Sequence, residues 1–456
     1  MVTVPQAPIL LDLFGKVLPP QFLEELRQRS GLQAQGIYRL AVVVWLMMWQ
    51  RLDGRGTLSV AVQQVVQGLL GALLPPDKRV CEQRVSNNPG GLCRARKRLP
   101  LEAAEAVGDE VFSKLTAAEP AQGFLSRLFL LDGSSMRLTH TSSLVAAYPP
   151  GSNNHGEAHW PVIRILVAHQ TSSGLAARPC WGPMYGPHAV SEQALTKPIL
   201  ERLPKGAAVM ADINFGVFSV AWDVQQSGRD MLLRIQYGRA RKIAGGSVPP
   251  APSERRVEWR PSPDDRRAHP ELPTDAVIRG RLIVGQVEGQ NGKVVELYLF
   301  TTLEEPLEKL VELYGRRWNI ELDIRSLKQT LRLHSLSSQS PQGVAKELLM
   351  AIAGYNLVRS IQVAAARKAN LKPRQLSFSG VQAVVMTALP RLATTTDAAQ
   401  WEKEYQQVLD WAARCKLPTR SHPRSYPRAV WGQGSTFPRH APHELFSAAR
   451  HSHPRQ

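Results

Sequence analysis

Three carboxylates stand where chemistry is possible in this sequence. Asp132 ends the apolar run of "FLSRLFLLDGSSMRLT", Asp212 ends that of "GAAVMAD", and Glu321 lies in "YGRRWNIELDIRSLKQT" among Tyr314, Arg317 and Lys328. Three such groups brought together can hold two divalent ions about 3.5 to 4 Å apart, which clamp the attacking and leaving oxygens of an in-line displacement at phosphorus. Oxygen ligands suit Mg²⁺, a hard cation, with Mn²⁺ as a substitute. Each aspartate taken singly also has a plainer reading, because Asp-Gly is a common turn and an aspartate ahead of a helix caps it.

The spacing around Glu321 points the same way. On one continuous helix at ~100° per residue, with Tyr314 at zero, Arg317 falls near about −60°, Glu321 near about −20° and Lys328 near about −40°. These four share a face. Leu313, Ile320, Ile324, Leu327 and Leu331 form an apolar stripe beside it, suited to packing on a sheet. As a solvated face, Arg317 and Glu321 would be an i, i+4 pair worth only about a few tenths of a kcal/mol. As a site, the cations would flank a phosphate.

The elements that must bring these residues together are alternately β and α. The runs to Asp132 and Asp212, "HWPVIRILVAHQTSSG", and the strand ending at Ile235 read as strands, with an amphipathic helix after Asp212. A second segment after Asp132 is expected to pair back on it as a hairpin. Residues 238 to 275, rich in Pro and Arg, read as an extended and poorly packed excursion. Two β-rich runs around Asn291 and Gly292 read as a hairpin, and the chain beyond is helical to about Ala413. The first hundred residues are helical and end in "CRARKRLP", whose Arg94, Arg96, Lys97 and Arg98 suit either DNA phosphates or a solvated helix end. The tail of Arg, His and Pro reads as an arm that orders on a partner.

Composition narrows the partner. The 456 residues carry 56 Lys and Arg against 38 Asp and Glu, a formal +18, which suits a polyanion such as nucleic acid. Four scattered cysteines without a Cys-x-x-Cys pair argue against a zinc site or disulfide framework and fit a reducing cytoplasm. His155 and His159 in "HGEAHW" do not have the H-E-x-x-H arrangement, so no zinc is expected there. The apolar "IYRLAVVVWLMMWQ" is short for a membrane span and reads as a core helix.

The spacing Tyr314, Arg317, Glu321, Lys328 resembles the Y-R-E-K signature of the DDE transposases of the bacterial insertion-sequence-four type. "LLDGSSMRL" is similar to that family's first-aspartate strand. "ADINFGVFSVAWDVQQSGRDMLLRI" is similar to its second, with Phe215, Gly228 and Arg234 in place, although Ile213 and Asn214 depart from the usual basic or small residues. "AIAGYNLVRS" and the tail "SYPRAVWGQGSTFPR" extend the likeness over roughly 124 to 439. The resemblance implies an α/β, ribonuclease H-like catalytic core split by a mostly β insertion. The domain expectation is a helical, DNA-binding region at 1–105, the core at 120–237 and 304–375, the insertion at 238–303, and C-terminal helices with a basic tail at 376–456.

It also implies that Asp132, Asp212 and Glu321 bind two Mg²⁺ ions, and that Tyr314, Arg317 and Lys328 contact terminal phosphates. Trp318 would hold a flipped base or be a core aromatic; Trp259 is a second candidate for the same pocket. The implied activity is cut-and-paste DNA transposition through a hairpin intermediate, by a homodimer in a synaptic complex with element-end and target DNA. A cytoplasmic, nucleoid-associated bacterial protein with no membrane partner is expected. The rival readings are a metal-dependent nuclease without strand transfer and a catalytically inactive DNA-binding regulator.

Overall fold

The computed structural model describes residues 9–418 apart from 35, 54–55, 76, 120–122, 154–155, 289–293, 328–335 and 394–397, with backbone alone at 9–12, 72, 153, 287–288, 318–321, 389–393 and 398. The described chain forms one compact unit within Met1–Gly285 and Leu297–Leu417; the described residues within Gln286–Glu296 belong to a second. The expected turn at Asn291 and Gly292 and the tail lie outside the described residues.

The strands are β1 (Leu128–Arg137), β2 (Ser152–Asn153), β3 (Gly156–Glu157), β4 (Val162–Gln170), β5 (Cys180–Pro183), β6 (Ala208–Ala211), β7 (Asp230–Arg234), β8 (Ser253–Trp259), β9 (Ile278–Glu288) and β10 (Val294–Thr301). Eight of them make one sheet in the order β5-β4-β1-β6-β7-β10-β9-β8, while β2 and β3 pair separately. β1 runs antiparallel to β4 and β4 to β5, whereas β1 is parallel to β6 and β6 to β7. β10 returns antiparallel to β7, and β8 is antiparallel to β9. The mixed α/β class is thus as expected.

Both faces of the central strands are buried, which is why they read as near-continuous apolar runs. Side chains alternate faces with period two. Leu128 and Leu130 of β1, Ala208 and Met210 of β6 and Leu232 of β7 share one face, packed with Leu310, Leu313 and Tyr314 of the helix Leu307–Gly315. Phe129, Leu131, Val209, Ala211, Met231 and Leu233 face the larger core on the other side.

Among the described residues seven helices run from Ile9 to Ala118. The helix Leu40–Leu52 is the core helix that its apolar sequence suggested, with Trp45, Leu46 and Met48 almost wholly enclosed. It packs on the long helix Pro341–Lys368. That helix is long and apolar enough to cross a membrane, but its most apolar window is 89% buried inside the fold, so its composition reflects a protein core.

Three expectations are corrected. β1 does not stop at Asp132: it continues through Gly133 to Arg137, pairing with β4 along its length, because backbone pairing to a long partner overrides the turn propensity of Asp-Gly. No tight hairpin follows it. The 238–275 segment is not a loose excursion but holds the helix Tyr237–Ile243, the edge strand β8 and a helix Pro263–Ala268 with a Ser262 capping box. Finally, Tyr314 to Lys328 is not one helix. The first helix ends at Gly315, Arg316 and Arg317 form a turn with hydrogen bonds back to Leu313 and Tyr314, and a second helix runs Trp318–Arg325.

Candidate active site

Two registers assemble the site. β1 and β6 pair as Leu128↔Ala208, Phe129↔Val209 and Leu130↔Met210, and two further steps along both strands bring Asp132 level with Asp212. β6 and β7 pair through Ala211↔Leu233, and one further step brings Asp212 level with Arg234. Neighbouring strands lie about 4.8 Å apart. By the same alternation, Asp132, Asp212 and Arg234 follow Leu130, Met210 and Leu232 on the face covered by Tyr314. Two carboxylates and a guanidinium are thus brought to the ends of three neighbouring strands, just beyond the apolar packing.

The electrostatics agree with the registers. The Asp132 carboxyl is pushed up to about 6, first by burial and then by the negative charges of Asp212 and Glu192, against which the Gly133 N–H and Arg317 act. The Gly133 N–H donates to Asp132 Oδ1 at 2.9 Å. Burial also raises the Tyr314 phenol, with Arg317 and Arg234 opposing and Asp212 reinforcing the shift. The Tyr314 hydroxyl, on a residue only 7% exposed, approaches Arg234 without reaching hydrogen-bond geometry. Tyr314, Arg317, Asp132 and Asp212 thus converge, although Tyr314 and Arg317 arrive from a helix end and a turn rather than from one helical face.

Glu321 stands on the helix Trp318–Arg325, which packs on β1. The side chains of Glu321 and Trp318 lie outside the described residues, as does Lys328 altogether. Among the described residues no three His, Cys, Asp or Glu side chains are grouped to hold a metal ion. The donor set nevertheless fits a hard cation: Asp132 and Asp212 offer only oxygen, and the Asp132 carboxyl is raised first by burial and then by the Asp212 charge, both of which a bound cation would offset.

Sequence reasoning missed a further carboxylate near Asp132, Glu192. Glu192 lies over Gly133, where a Cβ would fall 2.1 Å from the Glu192 Cδ. It accepts from Asn214 Nδ2 at 2.8 Å, and the Asn214 backbone N–H donates to Asp212 Oδ1 at 2.9 Å. The departure at Asn214 from the resembled pattern therefore has a local role in holding the Asp212 loop. Glu192 sits in a connection far from both aspartates in sequence and carried no local signal. The same loop depends on Gly216, whose added Cβ would lie 2.1 Å from the Arg234 carbonyl oxygen. Gly216→Ala is expected to cost about 1–3 kcal/mol by forcing this loop off β7, measured by urea unfolding.

Other expected contacts are placed elsewhere. Arg96 is not presented to a phosphate: its Nη2 pairs with Glu347 Oε1 at 2.5 Å and the side chain is 12% exposed. Arg94, Lys97 and Arg98 are exposed at the end of the helix Gly90–Arg98. Trp259 is corrected to a core residue. It is 3% exposed, with Phe218 and Phe300 edge-on to it at 5.9 and 4.9 Å and Arg239 over the ring at 6.0 Å, leaving no open face for a base. His159 stacks on His140 at 4.4 Å, and His155 lies outside the described residues. The four cysteines are free.

An aspartate on β1 and another just beyond the end of the parallel strand β6, met by a tyrosine and an arginine, fit a phosphodiester site, and the chain belongs to the transposase DDE domain family, whose model matches residues 123–357. It is also similar to the transposase InsG for insertion sequence element IS4 of Escherichia coli (strain K12), at 26% identity over 439 residues that cover 92% of each chain. Together these comparisons support its place among DDE transposases of the insertion-sequence-four type, enzymes that act on DNA.

Proposed function

We propose that this protein cuts DNA at the ends of an insertion element and joins the freed ends to target DNA by cut and paste. The observation that carries this reading is Asp132 on β1 facing Asp212 just past the end of the parallel strand β6, each within electrostatic reach of the other, beneath Tyr314 and near Arg317. The strand order and the helix packed on β1 support reading 120–237 and 304–375 as a ribonuclease H-like core.

Asp132 and Asp212, with Glu321 as the third carboxylate, would hold the Mg²⁺ ions. When bound, Mg²⁺ supplies neutralisation of charge on the phosphate oxygens and a more acidic nucleophile. Arg317 and the buried Tyr314 hydroxyl donate to the phosphate and orient it. A water oxygen attacks the phosphorus at the element end, the P–O3′ bond breaks, and a 3′-hydroxyl is released. That hydroxyl attacks a phosphorus of the opposite strand, whose P–O3′ bond to flanking DNA breaks to close a hairpin, and water then cleaves the hairpin's new P–O3′ bond. The regenerated 3′-hydroxyl attacks a target phosphorus and displaces a 3′-oxygen there, and at each step the attacking oxygen loses a proton and the leaving oxygen gains one. Lys328 holds a further phosphate, and Trp318 stacks on a base flipped from the end. A homodimer working in the cytoplasm on nucleoid DNA pairs the two ends, and the +18 charge supplies salt-sensitive affinity.

The test incubates the protein with Mg²⁺, a target plasmid and DNA carrying the inverted repeats that flank its gene. Excised fragments joined to the plasmid are expected. Nicks without joining would favour the nuclease reading, and binding without nicks the regulator.

A further inference from the structure

The helix Trp318–Arg325 is docked on its apolar side by Ile324, which packs with Leu310 and Leu313, and just beyond it by Leu327, which is buried in the larger core. It follows the turn at Arg316 and Arg317, and helical backbone continues through Ser326 and Leu327. Leu322 is 40% exposed. Among the described side chains within this helix the one that is buried is Asp323, at 1% exposure.

Asp323 is gripped from two other elements. Arg359, on the long helix Pro341–Lys368, donates through Nη2 to Asp323 Oδ1. Arg374, in the short 3₁₀ turn Pro373–Gln375, donates to Oδ2 from Nη2 at 2.7 Å and from Nε at 3.2 Å. Each arginine is itself fixed. Arg359 also binds the Tyr355 hydroxyl at 2.7 Å and Gln362 Oε1 at 2.8 Å. Arg374 also donates to the Thr171 carbonyl and to that of Gln170 at 3.3 Å, at the end of β4. Gln170 pairs with Phe129 of β1. The carboxylate thus ties its helix, through two cations, to the core helix and to the strand next to the one bearing Asp132.

On a helix, two positions differ by ~200°, so 321 and 323 lie on opposite faces and move as one body. We propose that Asp323 is a positioning residue for the reaction: clamped by Arg359 and Arg374, it sets the helix bearing Glu321 against β1 so that three carboxylates meet one ion pair. This rests on the reading of Glu321 as the third carboxylate. It explains why a full charge is buried on this helix where an apolar residue would pack at lower desolvation cost: the two cations fix direction as well as burial.

The test uses the full chain. Asp323→Asn keeps the shape and removes the charge; Arg374→Gln loosens the clamp while leaving the Asp323–Arg359 pair, and carries the test if the first variant folds poorly. Val62→Ala, in the N-terminal helical region, serves as a remote destabilised control. Mn²⁺ affinity is read by electron paramagnetic resonance titration, beside the nicking rate on end-bearing DNA and the melting temperature. Asp323→Asn is expected to weaken Mn²⁺ binding and slow nicking by about 10- to 100-fold each, Arg374→Gln less, with end-DNA affinity unchanged. Mn²⁺ affinity equal to the parent's, with nicking lost only as far as stability is lost in Val62→Ala, would overturn the positioning role alone. Mn²⁺ uptake that Asp132→Asn does not lower would overturn the site reading as well, and the inference with it.

Discussion

Asp132→Asn is expected to abolish DNA cutting and yet raise the melting temperature of the metal-free protein. The carboxyl titrates near 6 in the folded chain, above its ordinary 3.8, chiefly because it is buried beside Asp212 and Glu192. A folded value above the unfolded one means that the unfolded chain releases the proton first, so stability falls as pH rises from about 4 to about 6 and stays lowered above. At neutral pH the ionised group costs about 1–3 kcal/mol, which the amide removes. The advantage of the variant should shrink as pH falls from about 6 to about 4 and vanish below about pH 3, where both states of the parent are protonated. Mg²⁺ should stabilise the parent and not the variant. Loss of a metal ligand forfeits several kcal/mol of transition-state stabilisation, so cutting should fall by roughly 10³-fold or more. Thermal melts with and without Mg²⁺, run beside a nicking assay, check both signs.

Glu347→Gln should destabilise the fold by about 3–5 kcal/mol, the usual result of removing one partner from a buried charge cluster. Glu347, 2% exposed on the long helix, pairs with Arg96 at 2.5 Å and Arg51 at 3.5 Å, and its Oε2 accepts the Ser337 N–H at 2.9 Å. The neutral amide would leave two cations facing each other beneath the surface. Burial alone would raise the Glu347 carboxyl, but Arg51 and Arg96 outweigh it and hold it below its ordinary 4.5. The sign is therefore opposite to that of Asp132: the stability from Glu347 is complete above about pH 4.5 and is lost as pH falls through the depressed value. Urea unfolding at pH 7 and at pH 3 should show the variant's deficit shrinking in acid. Arg96→Ala should likewise lose stability without changing the salt dependence of DNA binding. Lys97→Ala or Arg98→Ala would lower that slope by about one wherever the residue touches a phosphate.

The parts of this molecule legible in the sequence are those fixed locally. Apolar runs before Asp132 and Asp212 marked central strands, because strands buried on both faces need such runs. The helical first hundred residues and the core helix Leu40–Leu52 followed from periodicity. The break at Arg316 and Arg317 was not legible: the apolar spacing runs through it unchanged, and only packing decides that the backbone turns there. Asp323 did leave a trace. On the single-helix reckoning it falls about 40° from Leu327, at the edge of the apolar stripe, where a charge asks for a partner. The partners, Arg359 and Arg374, are long-range and carry no spacing signal. Trp259 shows the converse: a tryptophan among arginines and prolines looked available to a base, while the register of β8 on β9 turns its ring into the core.

The central claim is that Asp132 on β1 and Asp212, just beyond the parallel strand β6, share divalent ions with Glu321. The most direct measurement is anomalous diffraction from crystals of the protein bound to end-bearing DNA and soaked with Mn²⁺. Two peaks about 3.5 to 4 Å apart, with carboxylate oxygens of all three residues within about 2.5 Å, are the expected result. Anomalous density lying away from Asp132 and Asp212, or bound by one of them without the other, would contradict it.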